Sequence, residues 1–163
     1  MTGLFSVAQR TVEGAKTGHA AVFTALYPAM AQDKNRSFHL PWTLLLVSAG
    51  LGSITLSALA GPIMLMLFGA EYAASIPALQ ILAWTLIPYT VNTFLILKFV
   101  SSKNEKPVLY ASLISLVLLF SFNFSWIPQI GLIGASWSVL IAEVSQALIL
   151  IVNWRQYEFS KSF

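Results

Sequence analysis

Long runs without charge dominate this chain. Residues 41–68, 76–97 and 108–127 contain no Asp, Glu, Lys or Arg, and 132–152 contains one such residue, Glu143. Each run exceeds the roughly 18 apolar residues that mark a membrane-crossing helix, since about 20 residues in a helix span the hydrocarbon core. Residues 3–31 also carry a helical pattern, in the spacing of Leu4, Val7, Val12, Ala15, Val22, Phe23 and Leu26, but they form the most polar segment of the set. None of the runs alternates in the short segments of about ten residues that a transmembrane barrel requires. The pattern predicts an all-α fold: a polytopic transmembrane bundle of five helices at about 3–31, 40–68, 76–100, 108–127 and 132–154.

The links between these segments are short. "AQDKNRSFH" (31–39), "GAEYAAS" (69–75), "SSKNEKP" (101–107) and "PQIG" (128–131) leave room only for antiparallel neighbours. Pro107 suits the first turn of a helix, and the Pro and Gly of 128–131 end one helix and start the next. With no linker and no low-complexity run, residues 1–163 read as one bundle.

Composition supports the membrane reading. The chain is 57% hydrophobic and 9% charged, whereas a soluble domain carries about 25% charged residues to cover its core. The absence of cysteine removes a disulfide framework and a thiolate metal site from consideration. A net charge of +3 without a basic–aromatic cluster argues against nucleic-acid binding.

The placement of the cations gives an orientation. Lys34 and Arg36 lie in the first link, Lys98, Lys103 and Lys106 at the third, and Arg155 and Lys161 in the tail, while 69–75 and 128–131 hold neither Lys nor Arg. The positive-inside rule then places the C-terminus in the cytoplasm. Trp42, Trp126, Trp154 and Tyr157 fall near span ends, as interfacial aromatic anchors do. Five spans would put Met1 outside with no signal peptide ahead of it, so the chain is expected to be the C-terminal piece of a longer transporter.

Three stretches resemble one family. "GPIMLMLFGAEYAASIPALQIL" (61–82), "WIPQIGLIGASWSVLIAEV" (126–144) and "GLFSVAQRTVEGAK…ALYPAMAQ" (3–32) are similar to segments of bacterial polysaccharide flippases, in the multidrug/oligosaccharidyl-lipid/polysaccharide exporter superfamily. The resemblance implies the C-terminal lobe of a two-lobed, MATE-like flippase in the bacterial inner membrane. Such proteins move undecaprenyl-pyrophosphate-linked oligosaccharide units for surface polysaccharide synthesis by alternating access. The implied partners are the lipid-linked oligosaccharide, the bilayer and the N-terminal lobe of the same transporter.

Charges within apolar helices are costly and usually functional. Ser6, Arg10, Glu13, Gly14, Thr17 and Ala21 share one stripe of the first helix, with Lys16 about 60° beyond Glu13. Arg10, Glu13 and Lys16 are therefore the candidate substrate-binding residues, Arg10 foremost because its planar fork donates in pairs to phosphate oxygens. Glu13 would hold Arg10 while the site is empty. The competing reading is an Arg10–Glu13 pair at i,i+3 that only neutralises itself, or an interfacial turn whose charges snorkel.

Glu143 shares a face with Ser136, Val139, Gln146 and Asn153 and is the candidate ion-coupling residue: a proton carrier, a cation ligand or the partner of a basic group. A structural hydrogen bond between helices would also account for it. Thr85, Pro88, Tyr89 and Asn92 form a further stripe, lining either a wet cavity or a helix contact. Gly131, Gly134, Ala135 and Ser138 favour close helix packing. His19 and His39 are too far apart to suggest a metal. No nucleophile–base spacing, phosphate-binding loop or cofactor pattern occurs, so neither enzyme activity nor a cofactor is expected. Two alternatives to the flippase remain: a cation-coupled multidrug exporter of the same superfamily, and a small non-transporting membrane scaffold.

Overall fold

The computed structural model describes the backbone of residues 2–32 and 39–161 and the side chains of 3–21, 24 and 42–157. Lys34, Arg36 and the side chains of His39 and Lys161, which entered the orientation and metal arguments, lie outside the described residues. Among the described residues there are six α-helices: α1 (Thr2–Gln32), α2 (His39–Ala58), α3 (Ala60–Leu67), α4 (Ile76–Ala83), α5 (Leu86–Ser101) and α6 (Lys106–Lys161). A 3₁₀ helix, Ala70–Ser75, joins α3 to α4 where a plain loop was expected. No strand occurs among the described residues.

The breaks follow from proline chemistry. The expected helix 40–68 is bent by 61° between α2 and α3, and the expected helix 76–100 by 41° between α4 and α5. Pro62 and Pro88 sit in the first turns of α3 and α5. Each lacks the N–H that would bond the carbonyl four residues earlier, at Ala58 and Trp84, so the ladder opens where each bend falls.

α6 holds both of the expected helices, 108–127 and 132–154, as two arms: helix persists through Pro128 and breaks at Gly131. Gly131 has φ 56° and ψ −125°, a conformation that a Cβ disfavours. The interruption folds α6 on itself. Ser115 Oγ donates to the carbonyl of Ala142 at 2.9 Å, and Gln146 Nε2 to Ser112 Oγ at 3.2 Å. In a straight helix residues 115 and 142 would lie about 40 Å apart. The two arms therefore run antiparallel, hinged at 131.

Among the described residues, α6 is the one element long and apolar enough to cross a membrane, and up to three qualify if each bent pair is one span. Two apolar clusters hold the bundle. One joins Ala8 and Val12 of α1 to Ala60 and Met64 of α3 and to Ala78, Leu79 and Leu82 of α4. The other joins Leu45 of α2, Phe94, Leu95 and Phe99 of α5, and Ala111 and Leu150 of α6. Between them, along α1, α5 and α6 alike, lies a polar layer.

Candidate functional site: a charged layer between α1, α5 and α6

The polar layer is organised by Glu143. Lys16 Nζ lies 2.9 Å from Glu143 Oε1, an ion pair that ties α1 to the second arm of α6. Asn92 of α5 donates from Nδ2 to Glu143 Oε2 at 2.9 Å and to the Glu143 carbonyl at 3.1 Å. Both carboxylate oxygens are thus engaged by different helices. Lys16 also lies over the face of Tyr89, 4.9 Å from the ring centre, where the π-system attracts a cation. The side chains of Lys16 and Glu143 are 16% and 22% exposed, and Asn92 is 3% exposed. The pair is shielded enough for its attraction to exceed that of a surface pair, yet its edge stays open.

Local sequence explains why these residues meet. Val12 packs inward and Lys16 follows one turn later, on the flank of the inward face. On α5, Tyr89 and Asn92 are separated by one turn and point the same way. Asn92 Oδ1 is buried without a hydrogen-bond partner, leaving an unused acceptor beside the carboxylate.

The other two candidate residues lie elsewhere. Arg10 and Glu13 are exposed. Glu13 Oε1 accepts from Gln9 Nε2 at 2.8 Å, and among the described residues Arg10 has no hydrogen-bond or ion-pair partner. The Arg10–Glu13 pair considered from sequence is thus not formed here. Arg10, Glu13 and Lys16 do not form one group: Lys16 joins Glu143, which the sequence pattern leaves apart from it. Ser6, Arg10, Glu13, Gly14, Thr17 and Ala21 are all exposed, so their stripe forms one continuous outward face without a large apolar side chain.

Sequence reasoning placed Asn92 and Tyr89 on a polar stripe but did not connect them with Glu143. One signal was available: Lys16 sits off the Arg10 stripe, and a lone base and a lone acid in apolar helices lower each other's cost by meeting. Gln9 gave no such signal. Among the described residues no cluster of His, Cys, Asp or Glu could hold a metal. No family model, curated protein or solved structure matches the chain.

Proposed function

We propose that this chain is a multi-pass lobe of a bacterial inner-membrane transporter, with its C-terminus in the cytoplasm. Its spans are α1, the bent pairs α2–α3 and α4–α5, and the two arms of α6. The cargo is an amphiphile with an anionic head group, of which an undecaprenyl-pyrophosphate-linked oligosaccharide is the example that the sequence motifs favour. A second lobe faces α1 and completes the cavity.

One observation carries the reading. The outward face of α1 is polar and charged, whereas other outward faces are apolar: Leu44, Val47, Leu51 and Ile54 on α2, and Val117, Phe120 and Phe124 on α6, are all well exposed. In a bilayer, apolar faces suit lipid, while a face bearing Arg10, Glu13 and Thr17 needs water or protein against it. Arg10, having no partner among the described residues, is the group available to an incoming phosphate. Lys16 is held by Glu143 and reaches the cargo only if that pair opens, which makes the pair a latch. The drug-exporter alternative is less favoured, because the carboxylate it would offer a cationic drug already faces Lys16.

The native chain has no cysteine, so single cysteines report cleanly. Thr17→Cys should react with an impermeant thiol reagent added from one side of the membrane, and Val117→Cys should be protected by lipid. For orientation, Ala73→Cys should react in intact cells, and Ser102→Cys and Ser160→Cys should not. In the producing bacterium, Arg10→Ala should lower delivery of lipid-linked oligosaccharide to the outer leaflet at unchanged protein abundance. Full delivery by that variant would sink the transport reading, and a protected Thr17→Cys would sink the cavity.

A further inference from the structure

Cations and aromatic rings collect at the end of the bundle where α5 stops and both ends of α6 meet. Lys98 Nζ lies 4.6 Å from the centre of the Trp154 ring and 5.0 Å from that of Phe94. Phe94 stacks on Trp42 with ring centres 4.1 Å apart, and Phe99 meets Trp154 edge-on at 5.3 Å. Three helices thereby supply one aromatic floor beneath a half-buried ammonium. Lys103, Lys106 and Arg155 are exposed around it. The pairing of Ser112 with Gln146 and of Ser115 with Ala142, extended along the two arms, sets Arg155 about one turn beyond the level of Lys106, on the side of the α5–α6 turn. In sequence, Lys98, Lys103, Lys106, Arg155 and Lys161 outnumber Glu105 and Glu158 at this end.

The turn itself keeps a cation in an unusual place. α5 closes with the Asn104 N–H bonded to the Phe99 carbonyl and the Lys103 N–H bonded to the Val100 carbonyl, each at 3.0 Å. This closure puts its fifth residue in the left-handed region, where glycine is the usual occupant because a Cβ is disfavoured. Here the residue is Lys103, at φ 56°. Backbone strain of this kind persists where something outweighs it.

We propose that this collar binds the phosphate head groups of anionic phospholipids in the adjoining leaflet, an inference that rests on the membrane reading above. Lys103, Lys106 and Arg155 supply the charge, and the Arg155 fork can take two phosphate oxygens. Indole and phenol rings sit naturally at head-group depth. Exposed apolar side chains lie within two turns of the collar, Leu44 and Val47 beside Trp42 and Leu109 and Tyr110 beside Lys106, and give acyl chains a surface. A soluble phosphate would use the cations and leave that apolar surface unused.

The test uses the full chain with Trp42, Trp84, Trp126 and Trp137 changed to Phe, so that Trp154 alone reports. It is reconstituted in phosphatidylcholine vesicles containing brominated phosphatidylglycerol or brominated phosphatidylcholine. Phosphatidylglycerol should quench Trp154 preferentially, and that preference should weaken about fivefold for each collar charge removed. Lys103→Gly and Arg155→Gln should each show this loss, and Lys103→Arg should not. The melting temperature of Lys103→Gly in neutral detergent should be unchanged or raised, which separates lost binding from lost folding. Equal quenching by the two lipids would overturn the proposal. So would displacement of the preference by millimolar glycerophosphate, which would identify a free-phosphate site instead. A chain that enters phosphatidylcholine vesicles without lipid preference removes this proposal alone; a chain that never enters them removes the membrane reading as well.

Discussion

α1 and the first arm of α6 both lie at the outside of the bundle, and they turn opposite chemistries outward. Along α1 the exposed positions include Ser6, Arg10, Glu13 and Thr17; along α6 they include Leu113, Val117, Phe120 and Phe124, the last 88% exposed. An apolar patch of the second kind would be a liability in water, and a charged stripe of the first kind would be one in lipid. The two helices therefore fit different surroundings within one fold. What separates them in sequence is the angular position of a few charges, because both are helical throughout.

Charge placed on the lipid-like face gives the largest expected effect. Val117→Arg puts a guanidinium near the middle of the first arm of α6, where it should cost about 2.5–3.5 kcal/mol of membrane insertion. Thr17→Arg, on the polar stripe, should cost little. The ratio of membrane-inserted to uninserted chain for the two variants measures the difference directly. Equal penalties would mean that both helices face the same medium, and the contrast between them would disappear.

Next in size is the link between the two faces, the Lys16–Glu143 pair. Removing one partner leaves a half-buried charge beside Asn92 or Tyr89. The cost should fall between that of an exposed pair and that of a buried one, about 1–3 kcal/mol for Lys16→Ala or Glu143→Ala in denaturation of the detergent-solubilised chain. The double variant should recover much of the loss, because no uncompensated charge remains. Additive losses would show that the two residues act separately, and the latch would have no basis. In transport, Glu143→Gln keeps the shape and one acceptor while removing the charge. It should impair flux if Glu143 carries a coupling proton or cation, and wild-type flux across pH and sodium would leave only the structural role.

A third variant tests the fold of α6 that exposes its apolar face. A Cβ at Gly134 would stand 2.8 Å from the Trp126 carbonyl oxygen and 2.9 Å from Ile130 Cγ1. The backbone at the hinge would have to shift, so Gly134→Ala should destabilise by about 1–3 kcal/mol. Gly14, by contrast, has nothing within 4 Å of its Cβ position. Gly14→Ala on the α1 stripe should be neutral or slightly stabilising in the same denaturation measurement, since alanine favours helix.

The helices were legible in the sequence because hydrophobic runs and the turn signals around 69–75, 101–107 and 128–131 agree with one another. Their breaks were less so. Pro62 and Pro88 lie where the two expected helices bend, but a proline's position carries no direction, and the helix passes Pro128 and breaks at Gly131. The site was legible only in its parts. Each charge stood out against apolar surroundings, but the contact between Lys16 and Glu143 spans 127 residues of sequence. Periodicity within one helix fixes which side a residue faces, not which helix stands there. The split between Lys16 and Arg10 follows from an offset of about 60° that places one on the flank and the other on the outward stripe.

Arg10 gives the smallest expected effect on stability and the most informative one. It is exposed, and none of the described residues pairs with it. Arg10→Ala should therefore change unfolding by no more than about 0.5 kcal/mol, as surface substitutions usually do. Glu13→Ala loses one bond from Gln9 and should also stay small. If the stripe lines a wet cavity, Arg10→Ala should still abolish most transport, and Arg10→Lys should abolish part of it, because the charge remains while the paired donors are lost. A large effect on flux with almost none on stability is what a group reserved for a ligand shows, whereas Lys16 should affect both. The opposing outcome is equally readable. Should Arg10→Ala chiefly lower abundance, and adding Glu13→Ala restore both abundance and transport, the two residues neutralise each other in the membrane and the outward face of α1 has no part in binding cargo.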